Sequence, residues 1–118
     1  MDLEWIRQVC LALPGSTEKI QWGNDLVFKT HGKIFAVAAL EPGASALTFK
    51  CTPQEFSDLC ERPDCTPARY ITRGQWITLQ TLDALPARDI ERLLRQSYEL
   101  ILSKVPRKAR SASGSGRA

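Results

Sequence analysis

At 118 residues with 43% hydrophobic content, the chain is sized for one domain around one core, and too short for two. Its formal +3 comes from 16 Lys and Arg against 13 Asp and Glu, yet residues 1–103 hold 11 of the cations and all 13 acids, a balance of −2. The basic excess therefore belongs to the end of the chain, which weighs against a body that is basic throughout, the usual footprint of a general nucleic-acid binder.

Taken in order, Leu3, Ile6, Val9, Cys10 and Leu13 recur at helical spacing, Asp2 can cap the helix, and Leu13-Pro14-Gly15 stops it. Ser16 to Gln21 reads as a polar connection into Trp22-Gly23. Two strands follow, Asp25 to Thr30 and Lys33 to Ala38, joined by the tight primed turn His31-Gly32. A regular register across that turn pairs Phe28 with Phe35 and Leu26 with Val37 on one face, and Val27 with Ala36 on the other. A third strand, Ala46 to Cys51, sends Leu47 and Phe49 one way and Thr48 and Lys50 the other. One face is thus large and aromatic, expected under helices. The opposite face is shallow, with Ala36, Ala38, Val27 and Ile34 beside Lys29 and Lys50.

Thr52-Pro53-Gln54-Glu55 reads as a capping box with proline at the first helical position, opening a short helix with Phe56, Leu59 and Cys60 inward. Tyr70-Ile71-Thr72 and Gln75 to Leu79 read as two more strands around Arg73-Gly74. Pro86 starts a last helix in which Ile90, Leu93, Leu94, Tyr98, Ile101, Leu102 and Val105 keep the 3.6-residue period. The expected architecture is α+β: a five-stranded antiparallel sheet backed by N- and C-terminal helices, in the order α-β3-α-β2-α. Residues 1–105 form the domain. Residues 106–118 are basic, rich in Ser and Gly, and expected to be disordered alone.

Few chemical sites emerge. Cys10, Cys51, Cys60 and Cys65 contain no Cys-x-x-Cys pair, and His31 is the single histidine, so no metal site and no cofactor are implied. Reduced thiols fit the cytoplasm, the expected compartment, and no apolar run is long enough to imply a membrane span. His31 at a hairpin tip has nothing to enclose it, and no Gly-rich phosphate loop is present, so no enzyme is expected. Trp22 and Tyr98 are expected to pack or seal the core. If Ile77 and Leu79 point inward, Trp76 and Thr78 join Lys29 and Lys50 on the open face. Lys33, Arg69 and Arg73 stand at or near hairpin tips, and Lys104, Arg107, Lys108 and Arg110 line the chain end. Cations interleaved with an aromatic suit phosphate tracking and base stacking.

The ordered pieces Leu13-Pro14-Gly15, Trp22-Gly23, Val27-Phe28-Lys29, Gly32 to Ala36, Leu47 to Cys51 with Pro53, Tyr70-Ile71, Trp76 to Leu79 and Ser97-Tyr98 resemble the MmcQ/YjbR family. These are small bacterial proteins with a double-wing motif, and the resemblance spans residues 3–103. It implies the α+β fold and a DNA-binding label that rests on winged shape, with no shared active site. The expected function is non-enzymatic, weak and largely sequence-independent DNA binding through the hairpin tips, the open sheet face and the basic tail. The alternative is a protein-interaction or dimerising module that uses the shallow open face.

Overall fold

The computed structural model describes residues 2–40, 46–68 and 74–106. Within them run α1 (Leu3–Leu11), β1 (Ser16–Gln21), β2 (Asp25–Thr30), β3 (Lys33–Ala39), β4 (Leu47–Lys50), α2 (Pro53–Leu59), β5 (Cys65–Pro67), β6 (Trp76–Leu79) and α3 (Ala87–Leu102). The strands form one antiparallel sheet in the order β1-β2-β3-β4-β6-β5. The fold is α+β as expected, with six strands in place of five.

The additional strand is β1, read from the sequence as a connection. It is an edge strand, and its inward position opposite Phe28 is Glu18, whose carboxylate takes the Arg7 guanidinium of α1 at 2.6 and 2.9 Å. An ion pair replaces the apolar residue that would have revealed the alternation. At the other edge, β6 pairs with Cys65–Pro67, with Cys65 opposite Leu79. Pro67 is tolerated because an edge strand need not donate on its outer side. The strand expected at Tyr70-Ile71-Thr72 lies outside the described residues, as does the chain end from residue 107.

The hairpin β2–β3 starts as its turn dictates. His31 and Gly32 have φ of +52° and +80°, and Thr30 faces Lys33 and Lys29 faces Ile34. Beyond that the register slips: Phe28 faces Ala36, Val27 faces Val37 and Leu26 faces Ala38. Phe35 and Ala36 form a β-bulge, in which two successive side chains turn to the same side. Phe35, Ala36 and Ala38 all join the core, and the open face receives Val37. The expected shallow alanine face is therefore not formed. A two-residue turn fixes the register only until an extra residue is inserted, and nothing in the alternation marks the insertion. The core gains by it: Phe35 packs 6.4 Å from Phe28 and edge-on to Tyr98 at 5.5 Å.

The bulge interrupts the ladder between β3 and β4, whose pairing begins at Ala36 opposite Phe49. Ser97 of α3 closes the gap. Its buried hydroxyl accepts from Lys50 N–H at 2.9 Å and donates to the Phe35 carbonyl at 2.6 Å. The next residue, Tyr98, donates its hydroxyl to the Pro14 carbonyl at 2.6 Å, tying α3 to the corner after α1. Phe28, Phe35, Leu47 and Phe49 are fully buried beneath this layer, as expected.

The short α2 is capped by Thr52, which accepts from Glu55 N–H at 3.2 Å. Glu55 does not complete a reciprocal box; its carboxylate binds Arg92 of α3 at 2.6 Å. Leu59 is buried and Phe56 half-buried, but Cys60, expected inward, is exposed because the helix ends there.

Two expectations follow. Ser97→Ala leaves Lys50 N–H and the Phe35 carbonyl buried without a partner, and should lower stability by about 1–3 kcal/mol in urea denaturation. All four cysteines are free, and burial pushes Cys10 and Cys51 up to about 12 and also raises Cys65. Iodoacetamide at mildly alkaline pH should therefore label Cys60 in the native protein and the other three only on unfolding, read by peptide mass spectrometry.

Candidate nucleic-acid interface

Alternation places Lys19, Val27, Lys29, Val37, Thr48, Lys50, Trp76 and Thr78 on the face away from the helices. Lys29 and Lys50 share it, as expected, and Thr48 and Thr78 join across strands with their hydroxyl oxygens 2.9 Å apart. Lys19 is an addition, hidden from the sequence because β1 was not legible.

Antiparallel pairing then sorts charge along the strands. The β2–β3 tip, the end of β4 and the start of β6 lie at one end of the sheet, which brings together Lys29, Lys33 and Lys50. Lys104, just past α3, lies beside Lys50. The opposite end carries Asp25, Asp64 and Asp83, at the starts of β2 and β5 and after β6. Three of the helical arginines are paired, Arg7 with Glu4 and Glu18, Arg92 with Glu55 and Arg95 with Glu91, while Arg88 at the start of α3 enters no ion pair among the described residues. Among the described residues, Lys29, Lys33, Lys50 and Lys104 enter no ion pair.

Lys50 Nζ stands 6.0 Å from the centroid of the Trp76 ring. Burial, and then the adjacent Lys104, hold its ammonium below its ordinary pKa. Trp76 itself is only 7% exposed and packs with the core. This corrects the reading of Trp76 as a stacking platform: alternation gave its side of the sheet, but not whether that side was covered. Val27 and Val37 on the same face are likewise buried.

Among the described residues the exposed aromatic is Trp22, at 59%, with Ile20, two positions earlier, at 58%. The expectation that Trp22 packs the core fails because β1 exists. Trp22 becomes a turn residue between β1 and β2, held at φ +52° and projecting beyond the strand ends. His31 is corrected in the other sense. Its ring folds back from the tip, with Nδ1 2.9 Å from Thr30 Oγ1 and Cε1 3.2 Å from where a Cβ on Gly15 would stand. The remaining candidates, Arg69, Arg73, Arg107, Lys108 and Arg110, lie outside the described residues. Among those described, no group of three or more His, Cys, Asp or Glu is placed to hold a metal ion, and no helix is long and apolar enough to cross a membrane.

The YjbR family model matches residues 11–100. The chain belongs to the YjbR family. It is 25% identical over 114 residues to protein YjbR of Escherichia coli (strain K12), covering 93% of this chain and 95% of that one. A crystal structure of a Deinococcus radiodurans protein superposes with a TM-score of 0.84 at 25% identity, covering 95% of this chain and 87% of that chain. A Pseudomonas syringae protein shares the fold at a TM-score of 0.66 and 21% identity, covering 85% and 98%. Two pieces that carried the YjbR resemblance, Leu13-Pro14-Gly15 and Ser97-Tyr98, are joined here by the Tyr98–Pro14 hydrogen bond.

The tryptophans give a direct check. Acrylamide should quench a red-shifted emission that Trp22→Phe removes, while Trp76→Ala should lower stability by about 3–5 kcal/mol in urea denaturation.

Proposed function

We propose that this YjbR domain is a non-catalytic module that binds DNA weakly and with little sequence preference, through phosphates at the basic end of its sheet. The observation supporting this is the gathering of four lysines at one end of the sheet. Arg7, Arg92 and Arg95 are neutralised by carboxylates, while Lys29, Lys33, Lys50 and Lys104 enter no ion pair among the described residues and gather at one end. Unpaired ammonium groups on a fixed frame are what counterion release requires. Arg107, Lys108 and Arg110 follow Lys104 in the chain and would add contacts of the same kind. Arg69 and Arg73, in the β5–β6 connection, would extend them.

A second reading, a protein-interaction or dimerising module, is favoured by one observation. Ile20 on the edge strand β1 and Trp22 in the turn after it are both more than half exposed. That moves the docking surface from the open face to the sheet edge, where a partner strand could add.

Fluorescence anisotropy on a random duplex across a salt series separates the two. The full chain should bind at low salt and weaken steeply as salt rises. Ending the chain after Val105 removes Arg107, Lys108, Arg110 and Arg117, and should reduce the log–log salt slope by about three to four units. A remnant affinity should persist, and Lys29→Gln, Lys33→Gln and Lys50→Gln together should abolish it. No binding by the full chain at low salt would reject the DNA reading in favour of the partner-docking one.

A further inference from the structure

The space over Gly74 is bordered by two nitrogen donors. A Cβ there would come 2.9 Å from Lys50 Nζ and 4.0 Å from Trp76 Nε1. Gly74 also has φ +82°, so glycine is favoured by the backbone as well as by the space. The side chain of Lys104 lies against Lys50.

These groups are held by separate parts of the fold. Ser97 fixes the Lys50 backbone, β4–β6 pairing sets Trp76 opposite Lys50, and the turn closing α3 holds Lys104, whose N–H bonds the Ile101 carbonyl at 3.0 Å. None of the ion pairs among the described residues involves Lys50 or Lys104.

Lys50 is half-buried against the indole and carries the exposed ammonium of Lys104 beside it, so it is poorly solvated and repelled, and among the described residues no carboxylate pairs with either lysine. An oxyanion would relieve both costs at once, accepting charge-assisted hydrogen bonds from the lysines and one from the indole N–H. Two donors over Gly74 with a third beside Lys50 suit a tetrahedral anion, which offers an oxygen to each.

We propose that Lys50, Lys104 and the Trp76 indole N–H, arranged around Gly74, form a site for one phosphate-type oxyanion. Trp76 then contributes through its N–H edge and not through stacking. The site deepens the DNA-binding reading and rests on it for the source of the anion, a nucleic-acid phosphodiester. Free inorganic phosphate shares the chemistry.

The test is a nitrogen-15 NMR titration of the full chain with sodium phosphate, with sodium chloride at matched ionic strength as control. The Trp76 indole N–H and the Gly74 amide are the reporters. Phosphate should shift both saturably and chloride should not. Lys50→Gln and Lys104→Gln should each weaken phosphate binding by about tenfold or more, while Arg88→Gln leaves it unchanged. Lys104 is exposed, so its variant decides the matter should Lys50→Gln disturb the fold. A second titration uses a short DNA duplex. Phosphate shifts without duplex binding would keep the site and reject nucleic acid as its source. Duplex binding with both reporters silent to phosphate and to duplex would overturn the site and leave the DNA reading standing. Equal shifts in chloride, or silence in both titrations, would also overturn the site.

Discussion

The structure turns on one hydroxyl. The Phe35–Ala36 bulge lets β3 place Phe35 and Ala36 in the core, but it separates the Phe35 carbonyl from the Lys50 N–H that a regular ladder would give it. Ser97 supplies both missing bonds from the helix layer. Buried backbone groups without partners are costly, so the bulge and the serine stand or fall together. Their union also fixes the rotation of α3. With Ser97 against the sheet, Tyr98 must lie along the edge of Phe35 and reach Pro14, which anchors the end of α1. Seven residues is about two helical turns, so Lys104 returns to the side that Ser97 occupies. Lys104 therefore arrives beside the residue whose N–H Ser97 holds.

Net charge conceals this arrangement. Residues 1–103 sum to −2, which suggests a poor polyanion binder until the charges are located. Exposed ion pairs such as Arg95–Glu91 contribute little to stability. Their larger effect is on the field: they cancel Arg7, Arg92 and Arg95 locally and leave the sheet-end lysines uncancelled. Asp25 stands at the far end of β2 from Lys29. Antiparallel pairing thereby gives a domain of slightly negative sum one positive end, and a local field governs encounter with a polyanion more than the sum does.

Much of the fold was legible where burial is simple. Leu47 and Phe49 alternate with Thr48 and Lys50, and the α3 period runs unbroken, because each obeys one face and one partner. The Thr52 cap was visible because its hydroxyl acts on its own helix. Features that depend on a distant residue were not. β1 was hidden because Glu18 is satisfied by Arg7 rather than by apolar packing. The bulge was hidden because its compensation lies at Ser97, 62 positions from Phe35 in the chain. Trp22 and Trp76 were misread with opposite sign, since side-chain type does not tell a hairpin turn from a covered face. For the candidate site, Lys29, Lys33, Lys50 and Lys104 were legible as basic positions, but their convergence at one end required the strand order.

The burial of Trp76 bears on what kind of binder the proposed module can be. An indole 7% exposed presents no face to a base, so the stacking that lets single-strand binders prefer unpaired nucleic acid is missing at this position. The groups that remain are ammonium ions and an N–H edge, and all of them are donors suited to phosphate oxygens. Phosphate contacts position a protein on a duplex without reading its bases. On the proposed reading, duplex and single strand are thus distinguished chiefly by charge density, which is higher on the duplex and gives the steeper salt dependence. On that same reading, the domain would hold nucleic acid without choosing a sequence. On that reading any selectivity would come from elsewhere on the molecule, and among the described residues Ile20 and Trp22 are the most exposed large apolar side chains a partner would meet.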